Sequence, residues 1–138
     1  MQDRNLHLTL AFIGELANDA AADVARAVAS VSVVPFDWTL DHAGSFKRAR
    51  VAWLAGPPAP QLDALNATLR GLLDRRAVAY DHRPFVAHVT LWRDVRAFSG
   101  TGPLSERIVW RIGGIALFAS ARDRNGPVYR RVDQGPSA

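Results

Sequence analysis

Residues 5–14 read NLHLTLAFIG, and this stretch places His7 and a threonine two positions apart among leucines. Residues 85–94, FVAHVTLWRD, repeat the arrangement around His88, 81 residues further along the chain. Alternation of apolar and polar residues is typical of a β-strand with one buried face, so each stretch predicts a strand, the first over roughly residues 5–13. The histidine and the threonine of each stretch then share one face of their strand.

The paired polar groups, His7 with Thr9 and His88 with Thr90, suit phosphoester chemistry without a metal ion. If the two strands lie side by side, both imidazoles and both hydroxyls converge on one cavity, while the intervening leucine and valine anchor the core. A neutral imidazole can take a proton from water, an imidazolium can donate one to a leaving oxygen, and hydroxyls can bond phosphate oxygens. Because histidine titrates near neutrality, one pair can hold both protonation states.

The composition predicts one domain over residues 1–138, with 49% apolar and 22% charged residues. The absence of cysteine excludes disulfides, thiolate nucleophiles and cysteine-ligated metals. No apolar run approaches the ~20 residues of a membrane span, and no signal peptide is recognisable, so we expect a cytoplasmic protein. The net charge of +4, carried by arginine at 16 of 17 basic positions, favours an anionic partner. Genomic base composition explains the preference for arginine over lysine equally well.

The remaining patterns predict an α+β domain. A helix is expected from Asn18 as its capping residue, and a second one from the leucine stripe that runs to about residue 76. Between them, alternation around residues 36–40 and 50–56 predicts two strands that pair, and further strands follow from residue 85. With the repeated motif, this order predicts two pseudo-symmetric lobes of mostly antiparallel sheet, with helices outside and a central cleft.

Other polar residues are less informative. We expect His42 to be partly buried at a strand end and His82 to lie in an exposed loop. A metal site on His7 and His88 is unattractive because no third ligand recurs at a matching offset. Lys47, Arg48 and Arg50 fit either a solvated turn or a surface that guides RNA. Trp92 has the parity of the second histidine and could line the cavity or stack on a base.

Four segments resemble one known family. They are NLHLTLAFIGEL, GSFKRARVAWLAG with its Gly-x-Phe turn, FVAHVTLWRD, and IALFASARDRNGPVYRRV with a closing hairpin and Gly-x-x-Tyr. Together they span nearly the whole chain and resemble the RNA 2′,3′-cyclic phosphodiesterase family, also called 2′-5′ RNA ligase or LigT-like, of the two-histidine (2H) phosphoesterase superfamily.

The resemblance implies metal-independent hydrolysis of a terminal RNA 2′,3′-cyclic phosphate to a 2′-phosphomonoester, reversible as 2′-5′ ligation, by a monomer without cofactor. His7 would protonate the departing O3′ and His88 would activate water, although the near-symmetry of the motifs leaves the opposite assignment open. Thr9 and Thr90 would hold phosphate oxygens. Arg93 matches the family's phosphate-binding arginine, which requires the strand to end or twist before it.

Several alternatives stay open. Phe12, at the same offset from the first histidine as Arg93 from the second, either stacks on an RNA base or packs in the core, and core packing is preferred. Ala87 stands where the family generally has proline. The chain begins six residues before the first motif, where family members have a further strand and helix, so either this sequence starts inside a longer protein or the first lobe lacks these elements. The rival functions are an RNA-binding module without catalysis and a phosphodiesterase for another cyclic phosphate or nucleotide conjugate.

Overall fold

A computed structural model of the chain describes residues 6–96, 98–124 and 126–132. This part of the chain is α+β, as predicted, and contains two helices and six strands. The helices are α1 (Asn18–Ala29) and α2 (Pro60–Arg75). The strands are β1 (Phe36–Phe46), β2 (Val51–Ala55), β3 (Val89–Trp92), β4 (Gly102–Ile112), β5 (Phe118–Asp123) and β6 (Gly126–Arg131).

The strands form two antiparallel sheets. A four-stranded sheet has the order β3-β2-β1-β4, and β5 pairs with β6 in a separate hairpin. The predicted pairing of the two strands before α2 is confirmed, because β1 and β2 are antiparallel neighbours. The register of β1 against β4 shifts between Leu40 and His42. His42 therefore lies within β1 rather than at its end as predicted, because the strand continues past this irregularity to Phe46.

Both predicted helices are present. α2 begins with Pro60, whose fixed φ and missing N–H suit the first turn of a helix. Its buried face carries the predicted leucine stripe, Leu62, Leu65, Leu69, Leu72 and Leu73. The prediction of Asn18 as the cap of α1 is wrong by one residue: Ala17 occupies that position, and no side chain caps the helix. Neither helix in the described part is long and apolar enough to cross a membrane.

Two apolar clusters form the core. In the helix cluster, Val24 and Val28 of α1 pack with the C-terminal leucines of α2. In the sheet cluster, Leu62 packs with residues of the large sheet that include Trp38 and Val89. Leu10 packs against both clusters. The segment that carries the first motif is therefore anchored where helices and sheet meet.

The strand predicted over residues 5–13 is wrong as a continuous element within the described residues from 6 onward. This segment makes two isolated antiparallel bridges, Leu8 with Val89 and Ile13 with Tyr80. Five positions separate the bridged residues on the first segment but nine on the second, so a continuous ladder cannot connect them. The longer span includes Pro84, which has no N–H to donate. The strand predicted from residue 85 is present only as β3, which begins at Val89.

The end of the chain is described only in part. The hairpin predicted from IALFASA and PVYRRV is confirmed as β5 and β6. Asn125, in the predicted DRNG turn, and residues 133–138, predicted to fray, lie outside the described residues.

Candidate active site

The two histidine-containing segments lie side by side. Leu8 forms an antiparallel bridge with Val89, and both pack in the sheet cluster. Because neighbouring residues of extended chains point to opposite faces, the flanking histidines and threonines face away from that core. Extending the register by one residue in each direction sets His7 opposite Thr90 and Thr9 opposite His88, which makes the two imidazoles diagonal neighbours. Diagonal neighbours in an antiparallel pair have Cα atoms about 7–8 Å apart.

The four side chains differ in exposure. Both histidines are half-buried and Thr9 is exposed, whereas Thr90 is only 8% exposed. Thr90 is therefore the most deeply buried of the four side chains, and both imidazoles remain partly accessible to solvent.

The ring of His88 is oriented by two contacts. Its Nδ1 lies 2.7 Å from the carbonyl oxygen of Val86, and Phe46 meets the ring edge-on with 5.1 Å between centroids. A carbonyl oxygen can only accept, so Nδ1 carries the hydrogen of this bond. In the neutral ring, Nε2 is then the nitrogen with the free lone pair. His88 is held in the tautomer that can accept a proton at Nε2.

The ring of His7 is contacted from the other sheet. Tyr129 of β6 lies against it, with 4.6 Å between ring centroids and a tilt of 57°. This contact sets the small hairpin beside the first motif. Sequence reasoning gave Tyr129 no role beyond its place in the Gly-x-x-Tyr pattern.

Aromatic rings on β1 and β2 support the second motif. Trp53 pairs with Thr90 across the strands and packs against Phe46, which contacts His88. Trp53 also lies close over Gly44, where an added Cβ would come within 2.4 Å of its indole ring. Only glycine fits this position without displacing the ring. The Gly-x-Phe pattern includes Gly44 and Phe46, but the sequence alone could not show that Phe46 contacts His88.

A buried asparagine fixes the first motif from behind. Asn66 of α2 is 8% exposed, and its Nδ2 donates a hydrogen bond of 2.7 Å to the carbonyl oxygen of Leu10. This bond gives the Leu10 carbonyl a donor, since Leu10 belongs to no β-strand ladder. Sequence analysis missed this residue, because it lies among the leucines of α2 and its partner is 56 positions away.

Hydrogen bonds hold the segment that precedes the second motif. The backbone N–H of Asp81 donates to the Phe12 carbonyl, and Arg70 donates to the carbonyl oxygens of Asp81 and Arg83. Hydrogen bonds from Arg83, from its side chain first and its backbone second, lower the pKa of Asp81 to about 2. The ionised carboxylate holds the backbone N–H and the guanidinium of Arg83 within this loop.

Arg93 and Phe12 are both exposed near the site. β3 ends at Trp92, so the prediction that the strand ends before Arg93 is confirmed. The Arg93 side chain is exposed and makes no hydrogen bond or ion pair within the described residues. Phe12 is 64% exposed, so the preferred interpretation of this ring as core is wrong. The segment leaves its alternation after Leu10, which turns the ring outward and leaves it available for stacking.

Trp92 does not share a face with Thr90 as its parity predicts. Ala52 pairs with Trp92, whereas the next residue, Trp53, pairs with Thr90. Leu91 is therefore an extra residue in a β-bulge, and the bulge reverses the alternation beyond it. Trp92 emerges on the face of Ala52 at the end of the strand, where it is 52% exposed.

The other histidines stand apart from the two motifs. His42 is half-buried, with its Nδ1 2.7 Å from Asp41 Oδ1 and its ring against Trp53. His82 is exposed as predicted and stacks on Tyr80. Among the described residues, no group of three or more histidine, aspartate or glutamate side chains is arranged to hold a metal ion.

Comparisons with known proteins point to one family. The chain matches the family model of the 2′-5′ RNA ligase superfamily over residues 1–124. It is 32% identical over 126 residues to the RNA 2′,3′-cyclic phosphodiesterase of Escherichia coli strain K12, covering 91% of this chain and 72% of that protein. The protein of the same name from Aeropyrum pernix is 29% identical over 145 residues, covering 96% and 82%. The crystal structure of E. coli LigT complexed with ATP aligns with a TM-score of 0.82 and 30% identity, over 96% of this chain and 76% of that one. The chain therefore belongs to the 2′-5′ RNA ligase superfamily.

Proposed function

We propose that this protein hydrolyses terminal 2′,3′-cyclic phosphates of RNA to 2′-phosphomonoesters, acting as a monomer without a metal ion. The observation that carries the proposal is the antiparallel bridge between Leu8 and Val89, because the histidine and the threonine of each motif flank the bridged residue. The names of the relatives from E. coli and A. pernix support the same substrate class.

In the proposed mechanism, the Nε2 of His88 takes a proton from water as the water oxygen attacks phosphorus. The P–O3′ bond breaks, and His7 donates its proton to the departing O3′, which leaves the phosphate on O2′. The hydrogen bond from His88 to the Val86 carbonyl supports the assignment of His88 as the base, because it leaves a lone pair on Nε2. With an RNA 5′-hydroxyl in place of water, the same displacement would form a 2′-5′ linkage.

Three further groups would bind the substrate. Thr9 and Thr90 would donate their hydroxyl hydrogens to the non-bridging phosphate oxygens. Arg93 would reach the same phosphate from the end of β3, and its guanidinium can bind two oxygens at once. Phe12 would stack on the terminal base, which its exposed ring permits. These groups would act most strongly on the charge that develops on the oxygens in the transition state.

The direct test uses a short RNA ending in a 2′,3′-cyclic phosphate and the purified chain after treatment with EDTA. We expect full turnover in EDTA, with phosphorus retained on the 2′-oxygen, as read by ³¹P NMR of the product. A 3′-phosphate product would contradict the proposed roles of the two histidines. Loss of activity in EDTA that Mg²⁺ or Mn²⁺ restores would show that a metal ion takes part.

A second prediction concerns Tyr129 as a positioning residue for His7. Truncation in Tyr129→Ala removes the ring that packs on the imidazole, and we expect kcat to fall roughly 10- to 100-fold with KM little changed. Tyr129→Phe keeps the ring and should retain wild-type kcat. The measurement is steady-state kinetics on a 2′,3′-cyclic mononucleotide, with urea unfolding of each variant to exclude a loss of folded protein. Equal kcat in all three proteins would remove Tyr129 from the site.

A further inference from the structure

An aromatic pair, one ring exposed and the other half-buried, lies at the end of β3, close in sequence to the second motif. Trp92 is half-exposed, and Phe98 lies beside it with 6.4 Å between ring centroids and a tilt of 52°. Trp92 lies four positions after His88, which is roughly 13 Å along an extended chain. Because the β-bulge turns Trp92 off the face of Thr90, this ring is outside the pocket that would hold the cyclic phosphate. Its position suits a group attached to the substrate rather than the reacting phosphate.

Two loops rich in basic residues meet near the end of β3. The backbone N–H of Val95 donates a 2.9 Å hydrogen bond to the carbonyl oxygen of Arg50, which joins the loop after β3 to the β1–β2 turn. The joined loops bring together Lys47, Arg48, Arg50, Arg93 and Arg96. All five side chains are exposed, and none forms an ion pair with another residue in the described ranges. Asp94 is the single carboxylate in the two loops, so their positive charge is largely uncompensated.

We propose that Trp92, Phe98 and these basic loops bind the RNA strand upstream of the cyclic phosphate. This inference rests on the proposed function and adds the surface that would hold the nucleotides preceding the cyclic phosphate. Exposed aromatic rings stack on unpaired bases, and arginines bind the phosphates between them, which together form a surface for single-stranded RNA. The terminal phosphate would lie at the histidines, and the preceding nucleotides would cross the end of β3 over the aromatic pair.

The test compares two substrates, a 2′,3′-cyclic mononucleotide and an RNA hexamer that ends in the same cyclic phosphate. For the wild-type protein we expect a lower KM on the hexamer. Trp92→Ala should raise the hexamer KM roughly tenfold, since it removes one base–aromatic stack, and should leave mononucleotide kinetics within twofold of wild type. Trp92→Phe, which keeps a flat ring, should restore most of the hexamer affinity, and Trp92→Leu should not.

Matched variants separate this surface from general effects. Val109→Ala removes a 63% exposed apolar side chain from β4, at the opposite edge of the same sheet, and should change neither KM. Arg48→Ala and Arg96→Ala should each lower the salt dependence of the hexamer KM, by about 0.7 in the log–log slope for each phosphate that the variant no longer neutralises. Arg75→Ala, at the exposed end of α2, should leave that slope unchanged.

Three outcomes would overturn the inference. They are equal KM values for the two substrates in the wild-type protein, equal effects of Trp92→Ala on both substrates, or loss of hexamer affinity in Trp92→Ala that Trp92→Phe does not restore.

Failure of the proposed function has a different signature, because the wild-type protein would then turn over neither substrate. In that case, fluorescence anisotropy with a labelled hexamer carrying a 2′-phosphate still tests the surface. Weaker binding by Trp92→Ala than by the wild-type protein would support the proposed surface, and equal binding would contradict it.

Discussion

His88→Ala and His7→Ala are each expected to lower kcat on a 2′,3′-cyclic mononucleotide by roughly 10²- to 10⁴-fold, the usual range for loss of a general acid or base. His7 and His88 flank the bridged residues Leu8 and Val89. In the proposed mechanism the two imidazoles act on opposite sides of one phosphorus atom. The double variant should be little worse than the more damaged single variant, because residues that act as one unit do not contribute additively.

A matched control comes from the same segment as the second motif. His82→Ala removes an exposed imidazole that stacks on Tyr80, six residues before His88, and should retain wild-type kcat. Circular dichroism and urea unfolding of all the variants establish that each is folded at the assay temperature. Wild-type turnover in either motif variant would eliminate the paired acid and base.

Imidazole added to the buffer can separate the two roles. The base must be neutral to accept a proton, so rescue of His88→Ala should follow the neutral form of imidazole and increase above neutral pH. The acid must be charged to donate, so rescue of His7→Ala should follow imidazolium and increase below neutral pH. The opposite pair of pH dependences would exchange the roles and would contradict the assignment drawn from the Val86 hydrogen bond.

Features with a local cause could be predicted from the sequence. The leucine stripe of α2 and the pairing of β1 with β2 follow from periodicity and from a short turn, and both are present. The repeated His-x-Thr pattern predicted that two remote segments would lie side by side, and the Leu8–Val89 bridge does join them. These features depend on the chemistry of a few adjacent residues.

Features that depend on register or on distant partners could not be predicted. The bulge at Leu91 moves Trp92 off the histidine face. The alternation of apolar and polar residues in a sequence does not reveal where a bulge inserts an extra residue. Alternation with Leu8 and Leu10 predicts Phe12 in the core, but the segment leaves regular alternation before this ring, which is exposed. Tyr129 and Phe46 contact the two histidines from other strands, so their roles depend on packing between sheet, hairpin and motif segments.

Asn66 offers the sharpest test of how the fold holds the first motif. Asn66→Ala leaves the Leu10 carbonyl without its donor in a buried place, and we expect a loss of about 1–3 kcal/mol in the free energy of unfolding. Asn66→Asp keeps the shape but sets a carboxylate against that carbonyl. At neutral pH this isosteric change should cost more, about 3–5 kcal/mol, because it leaves a buried charge without a partner.

The two variants should differ in their dependence on pH. A protonated carboxyl at position 66 can donate to the Leu10 carbonyl, so folding should raise the pKa of the introduced group above its ordinary value of about 3.9. Relative to Asn66→Ala, the stability of Asn66→Asp should therefore be greatest below about pH 4 and should fall as pH rises through the raised pKa. Asn66→Ala should follow the wild-type pH profile at a constant offset. Urea unfolding at pH 4 and pH 7 measures both, with Gln61→Glu as the control that adds the same charge to an exposed position of α2. If Asn66→Asp is as stable at pH 7 as Gln61→Glu, the asparagine does not anchor the first motif, and the position of His7 must depend on Tyr129 and the Leu8–Val89 bridge.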